Sequence, residues 1–185
     1  MAQLAKRKKV ENLEQELIQA KNTLEQAELK ALILKQQLED DYQLKFTEMF
    51  KFIKKKKTDK EYRALKNEFD LKAKPELRQA ANKAKVLTKR YCTLAEKSVS
   101  GLVRVCETTS QDVEECVEQF KAVRRTFRFS AANPNKMFSA IIEYEKLRAR
   151  LTGIVLVLQT ASKCQEQHLK KYQRNKYFNE NNIEK

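Results

Sequence analysis

The stretch that decides the fold is residues 10–38, with the sequence VENLEQELIQAKNTLEQAELKALILKQQL. Its apolar side chains recur at alternating steps of three and four residues, for four repeats. Such a period keeps one stripe of a helix facing a neighbouring helix and predicts a left-handed coiled coil. We therefore expect a coiled-coil interface with another protein, or with a second copy of this chain, formed by Val10, Leu13, Leu17, Leu24, Leu34 and Leu38.

Turn-forming residues are rare in the chain as a whole. Its 185 residues include only two glycines and two prolines, whereas residues that favour helices are abundant. A sheet-containing domain of this length normally needs more turn residues. The composition predicts an all-α fold in which long antiparallel helices form an elongated helical bundle with an N-terminal coiled-coil arm.

Two local signals divide the chain into segments. Thr58 and Glu61 have the spacing of a capping box, so the lysine run before them should end the first helix. Pro75 suits a first helical turn, which predicts that the second helix is short. The expected segments are a coiled-coil helix ending in a basic corner (1–57), a short helix plus a long central helix (58–129), a loop (130–135), a long C-terminal helix (136–178) and a polar, frayed tail (179–185).

The expected central helix contains one stretch that leaves two alternatives open. Residues 107–112, ETTSQD, carry side chains that compete with a helix for backbone hydrogen bonds. A heptad pattern from Cys92 to Phe127 runs straight through them, which favours a continuous helix over a break. Further on, Gly153 precedes an apolar run that no second β-like run could pair with, so we expect a buried helix at a close crossing.

Patterns for catalysis and metal binding are weak. Two isolated glycines cannot form a phosphate-binding loop. His168 is the single histidine and shares a helical face with Cys164, but no Asp or Asn stands out to orient it. The four cysteines lack the compact spacing of a zinc site and should pack as reduced thiols. We expect no enzyme activity, no cofactor, no metal and no small-molecule substrate.

The charge balance predicts an anionic partner. The formal net charge is +14 and the pI is about 9.6, which favours binding to an acidic protein, an anionic lipid or a nucleic acid. Phe50, Phe52 and Ile53 flank the lysine corner, so apolar insertion should accompany charge there. The expected anionic-surface site consists of Lys51, Lys54, Lys55, Lys56, Lys57, Lys60, Lys83, Lys85, Lys89 and Arg90.

The sequence shows no pattern of a secretory signal or a membrane span. Residues 1–9 lack an apolar core, and the longest apolar run has five residues, against roughly 18–20 for a transmembrane helix. We expect a cytoplasmic protein that associates with the cytoskeleton or with a membrane surface.

Three functions fit these features. The first is a non-catalytic scaffold or adaptor subunit of a larger intracellular assembly, in contact with acidic surfaces such as tubulin tails. The second rests on a resemblance, because the order, length and basic charge of the helices resemble those of BAR-like membrane-curving domains. That resemblance implies a dimer of three-helix units that binds anionic lipid. A structural subunit that binds RNA or DNA ranks third, since no recognised nucleic-acid motif occurs.

Overall fold

The structure, a computed structural model, describes residues 2–130 and 133–183. It contains four helices: α1 (Ala2–Lys56), α2 (Asp59–Lys97), α3 (Val99–Phe129) and α4 (Pro134–Ile183). Within these ranges no strand occurs, so the predicted all-α fold is confirmed. The two longest helices, α1 and α4, have 55 and 50 residues and extend roughly 83 and 75 Å at 1.5 Å per residue.

Contacts along α4 fix the directions of the helices. α1 is antiparallel to α4, because Tyr42 contacts Glu145 while Glu14 lies beside Tyr172 much further along. α2 runs parallel to α4, because Phe69 contacts Phe138 and Ala95 contacts His168 further along both helices. α3 runs parallel to α1, because Lys30 contacts Glu114 and Lys45 lies over the ring of Phe127.

α4 is the central helix of this up-down-up-down bundle. It packs along all three other helices, whereas α1 and α2 have little contact with each other. Ile141, Tyr144, Leu151 and Leu158 of α4 are completely buried. Removing α4 would therefore leave the apolar faces of the other three helices without their shared neighbour.

The N-terminal heptad seam packs inside this chain. Leu17, Leu24, Leu34 and Leu38 are buried in one core together with residues of α3 and α4. The expectation that these four residues contact a partner chain is corrected accordingly. The heptad pattern identifies the inward face of α1, and α3 and α4 occupy the place expected for a partner helix.

The first turns of α1 and the last turns of α4 extend together beyond α2 and α3. Glu14 is level with Tyr172, and α2 ends near the level of His168. The residues of α1 before Glu14 and those of α4 after Tyr172 therefore form a two-helix extension about 18 Å long. Leu13 is half-buried at its base, and Val10 is 38% exposed. These two seam residues lie where a partner helix could still contact them.

Pro75 lies inside α2 rather than at the start of a helix. A proline in a helix removes one backbone hydrogen bond and crowds the carbonyl group four residues earlier, here that of Leu71. Both residues are exposed, so water can hydrogen-bond the freed carbonyl. The prediction of a short second helix is wrong, because α2 continues to Lys97.

The expected long central helix is interrupted at Ser98. Its backbone is extended (φ −159°, ψ 160°), and its hydroxyl accepts a hydrogen bond of 2.9 Å from the N–H of Gly101, which caps α3. α3 then returns antiparallel to α2. At this corner the helices are so close that a Cβ on Gly101 would lie 3.0 Å from the carbonyl carbon of Leu94. The reversal produces four helices, whereas the BAR-like resemblance implied three.

Three local predictions are confirmed. The capping box is complete, because the side chains of Thr58 and Glu61 each accept a hydrogen bond from the other residue's backbone N–H. Residues 107–112 are helical throughout, and the hydroxyl of Thr109 bonds to the carbonyl group four residues earlier at 2.6 Å. Gly153 lies at a close crossing of α4 with α2, where its carbonyl is 3.5 Å from a threonine hydroxyl.

The loop and the C-terminus differ in extent from the predictions. Of the expected loop 130–135, residues 131–132 lie outside the described residues, and α4 already begins at Pro134. α4 then continues to Ile183, so most of the expected frayed tail is helical. Residues 184–185 lie outside the described residues.

Candidate anion-binding surface

One end of the bundle concentrates the positive charge. The turn between α1 and α2 and the adjoining ends of α3 and α4 meet there, and we call residues 45–66 and 121–137 the basic end. These segments contain 14 Lys and Arg against 3 Asp and Glu. That excess accounts for most of the formal net charge of +14. The fold therefore gathers onto one end the charges that the sequence distributes over separate segments.

The lysine corner is formed by the last turn of α1 and the first turn of α2. Lys54, Lys55 and Lys56 occupy that last turn, where positive charge also complements the helix dipole. Among the described residues, none of Lys51, Lys54–Lys57 and Lys60 has an ion-pair partner. These six predicted site residues lie together on an exposed surface. They are thus available to an external anion.

Two arginines in the middle of the bundle form ion pairs with carboxylates of neighbouring helices. Arg148 donates two hydrogen bonds, of 2.8 and 2.9 Å, to the carboxylate of Glu39 and stacks 4.3 Å from the ring centre of Tyr42. Arg150 lies 2.7 Å from Glu115. These pairs join α4 to α1 and α3, so their charge is neutralised within the molecule.

A depression next to the lysine corner adds a second cationic surface. It has a volume of about 700 Å³ and lies between α1 and the last two turns of α3. Among the described residues that line it, Glu48 is the only acidic one, and it is 3.7 Å from Lys45. The lining includes five basic side chains: Lys45, Lys121, Arg124, Arg125 and Arg128.

Two of these arginines are free to bind a ligand. Arg124 is 3.6 Å from Asp41, and Lys121 is 3.1 Å from a glutamate one turn earlier. Within residues 2–130 and 133–183, neither Arg125 nor Arg128 has an ion-pair partner. Their planar guanidinium groups suit bidentate binding of phosphate or carboxylate.

The apolar residues expected beside the lysine corner are not available for insertion. Ile53 is fully buried, and Phe50 packs against the ring of Tyr62 with 5.7 Å between ring centres. Phe52 also packs on the core. The expectation of insertion at these positions is wrong, because the three side chains close the end of the core. The exposed aromatic residue at this end is Phe129, which is 73% exposed.

The other four residues of the predicted site lie elsewhere. Lys83, Lys85, Lys89 and Arg90 are in the second half of α2, about 35–45 Å along the helix from Lys60. Lys83 lines a groove of about 770 Å³ between α2, α3 and α4 whose other lining residues include three glutamates. The ten predicted residues therefore form two surfaces rather than one.

His168 and Cys164, the pair considered for catalysis in the sequence, both pack against neighbouring helices. The Nε2 atom of His168 lies 2.8 Å from the carbonyl oxygen of Ala95, which attaches α4 to the end of α2. Burial raises the pKa of the Cys164 thiol, which lowers its reactivity at neutral pH. All four cysteines are free thiols, and the described residues contain no group of His, Cys, Asp and Glu suited to hold a metal ion.

Comparison with known protein families, with curated proteins and with solved structures gives no match. No described helix has a segment long and apolar enough to cross a membrane. The class that the structure defines is an all-α four-helix bundle with one strongly cationic end.

Proposed function

We propose that this protein is a non-catalytic helical scaffold or adaptor that binds a negatively charged surface through its basic end. The observation that supports this proposal most directly is the convergence of two hairpin ends on one cationic surface, where six lysines of the corner have no ion-pair partner in the described part of the chain. Unpaired surface cations attract anionic partners and lose affinity for them as salt screens the charge.

The shape of the bundle supports a scaffold. Two helices of 55 and 50 residues hold the basic end and the two-helix extension at opposite ends of an elongated body. Val10 and Leu13 on the extension are the seam residues that remain for a protein partner. A molecule of this form holds an anionic surface and a helical partner at a fixed distance from each other.

The test is co-sedimentation of the purified protein with microtubules and, separately, with anionic liposomes. The variant changes Lys54, Lys55, Lys56 and Lys57 to Gln. Its matched control makes the same loss of four charges on α2, by changing Lys83, Lys85, Lys89 and Arg90 to Gln. Each charge near an anionic surface contributes about 1 kcal/mol, or about fivefold in affinity, so we expect the loss of four charges in the corner variant to weaken binding by several hundredfold.

Three outcomes decide the test. Loss of binding in the corner variant, retention in the α2 control and weakening at raised salt would support the proposal. Equal losses in the two variants would show that net charge alone governs binding and would reject a specific end. No binding of the unmodified protein to either anionic partner at low salt would reject the proposal as a whole.

A further inference from the structure

An exposed aromatic ring lies among the cations of the basic end. Arg125 lies four residues after Lys121 and three residues before Arg128, and Phe129 lies four residues after Arg125, so these side chains share one face of α3. Phe129 is 73% exposed on this face, at the last residue of the helix. Packing within the bundle does not account for a phenyl ring in this position.

We propose that this face of α3 and the adjoining depression bind the phosphate-bearing headgroup of a lipid in an anionic bilayer, while Phe129 enters the headgroup region. The inference rests on the proposed function and names the anionic surface. Arg125 and Arg128 contact the phosphate groups, and the lysine corner contributes attraction at longer range.

The chemistry of the surface favours a bilayer over an acidic polypeptide. Guanidinium groups match phosphate oxygens in a bidentate geometry, and several basic side chains around one depression suit a headgroup with more than one phosphate. An aromatic side chain gains free energy at the boundary between headgroups and hydrocarbon, because its apolar ring leaves water there. An acidic protein tail offers carboxylates but no apolar phase for Phe129.

At the basic end α3 stops short of α1, and this difference determines how the bundle can approach a membrane. Phe127 is level with Lys45, so α1 extends about nine residues, or about 14 Å, beyond Phe129. A bundle standing upright on a membrane would keep Phe129 away from it. The bundle therefore leans, with the outer face of α3 towards the lipid, so that Phe129 and the lysine corner reach the surface together.

The experiment measures vesicle co-flotation with two pairs of matched variants. Phe129→Ser is compared with Phe178→Ser, because Phe178 is equally exposed, at 71%, on the opposite end. Arg125→Gln with Arg128→Gln is compared with Lys170→Gln and Lys171→Gln, an equal loss of charge near the other end. Circular dichroism of each variant verifies that the bundle is folded.

Vesicles of phosphatidylcholine with a multiply phosphorylated phosphatidylinositol are compared with vesicles of equal charge made with phosphatidylserine. Soluble polyglutamate and soluble inositol polyphosphate are the further probes. We expect tighter binding to the phosphorylated lipid, a loss of about thirtyfold in the double arginine variant and a loss of about tenfold in Phe129→Ser. Both controls should bind like the unmodified protein.

The outcomes separate this inference from the proposed function. Binding to polyglutamate without binding to vesicles would overturn the bilayer and leave the basic end as an acidic-protein site. Binding to soluble inositol polyphosphate but not to vesicles would also overturn it. Unchanged vesicle binding in Phe129→Ser would reject insertion of the ring. Failure to bind any of these anions would reject both proposals.

Discussion

Packing around the two helical glycines predicts that alanine destabilises the protein at Gly101, in the close corner between α2 and α3, and has little effect at Gly153. In Gly101→Ala the new methyl group would meet the Leu94 carbonyl group, with 3.0 Å to its carbon, and the side chain of Ser98 at 3.1 Å. The main obstacle is backbone, so relief requires α2 and α3 to separate. Overpacking of this kind destabilises by about 3 kcal/mol, and the gain in helix propensity offsets about 1 kcal/mol. We expect a net loss of about 2 kcal/mol.

Gly153→Ala is the matched control. Its methyl group would lie 3.0 Å from the hydroxyl of Thr88, and the next atoms are at ordinary contact distances of 3.6 and 3.7 Å. The hydroxyl can rotate away by giving up a long hydrogen bond of 3.5 Å to the Gly153 carbonyl. The gain in helix propensity should then cancel this loss, leaving stability within about 1 kcal/mol of the unmodified protein.

Urea unfolding followed by circular dichroism gives both free energies of unfolding. At roughly 2–4 °C per kcal/mol for a chain of this size, the melting temperature of Gly101→Ala should fall by about 4–8 °C. If Gly101→Ala were as stable as Gly153→Ala, then the helices would not approach each other at Ser98 as the structure describes.

Two further predictions concern titrating groups. Burial and hydrogen bonds to Glu145 and Asp41 raise the pKa values of Tyr42 and Tyr144, so the folded protein keeps protons that the unfolded chain releases above about pH 10. Urea titrations should therefore show that stability falls with rising pH through that range, more steeply than in the double variant Tyr42→Phe with Tyr144→Phe. Parallel curves for the two proteins would contradict this. Burial also raises the pKa of Cys106 and of Cys116 to about 11, so a thiol reagent at pH 8 should label these thiols only as the chain unfolds. Rapid labelling of the native protein, measured by mass spectrometry, would refute this prediction.

The sequence predicts the inward face of each helix but not the helix that covers it. In α1 the spacing of Leu17, Leu24 and Leu38 identifies the buried stripe, because period alone determines which side of a helix is apolar. The identity of the neighbour depends on contacts between residues more than 100 positions apart, such as Tyr42 and Glu145. A single sequence carries no signal for such pairs.

The reversal at Ser98 was missed for a related reason. The heptad phase continues across it, so the apolar pattern reads as one helix, while the local signal is a serine three residues before Gly101. At Pro75 the sequence predicts a helix boundary that the structure does not have. The helix continues there because Pro75 is on the exposed side of α2, where water can hydrogen-bond the freed carbonyl group.

One part of the candidate site, the lysine corner, can be predicted from the sequence, whereas its arginines and Phe129 on α3 require the fold. The lysine corner is contiguous in sequence and needs no fold to be recognised. The arginines at 124, 125 and 128 form a visible cluster just before the loop, but only the parallel register of α1 and α3 places them beside Lys45. Phe129 gave no signal by itself, because exposure of one aromatic side chain cannot be inferred from its spacing.

The central position of α4 has a consequence for how the protein is made. α4 follows the other three helices in the chain, so α1, α2 and α3 leave the ribosome before the helix that joins them all exists. At about 5–20 residues per second, synthesis of its 50 residues takes roughly 3–10 s, during which the parts of their apolar faces that pack on α4 have no cover. Nascent chains of this protein should therefore bind chaperones until α4 emerges, and a chain truncated before Pro134 should remain a chaperone client and a substrate for degradation.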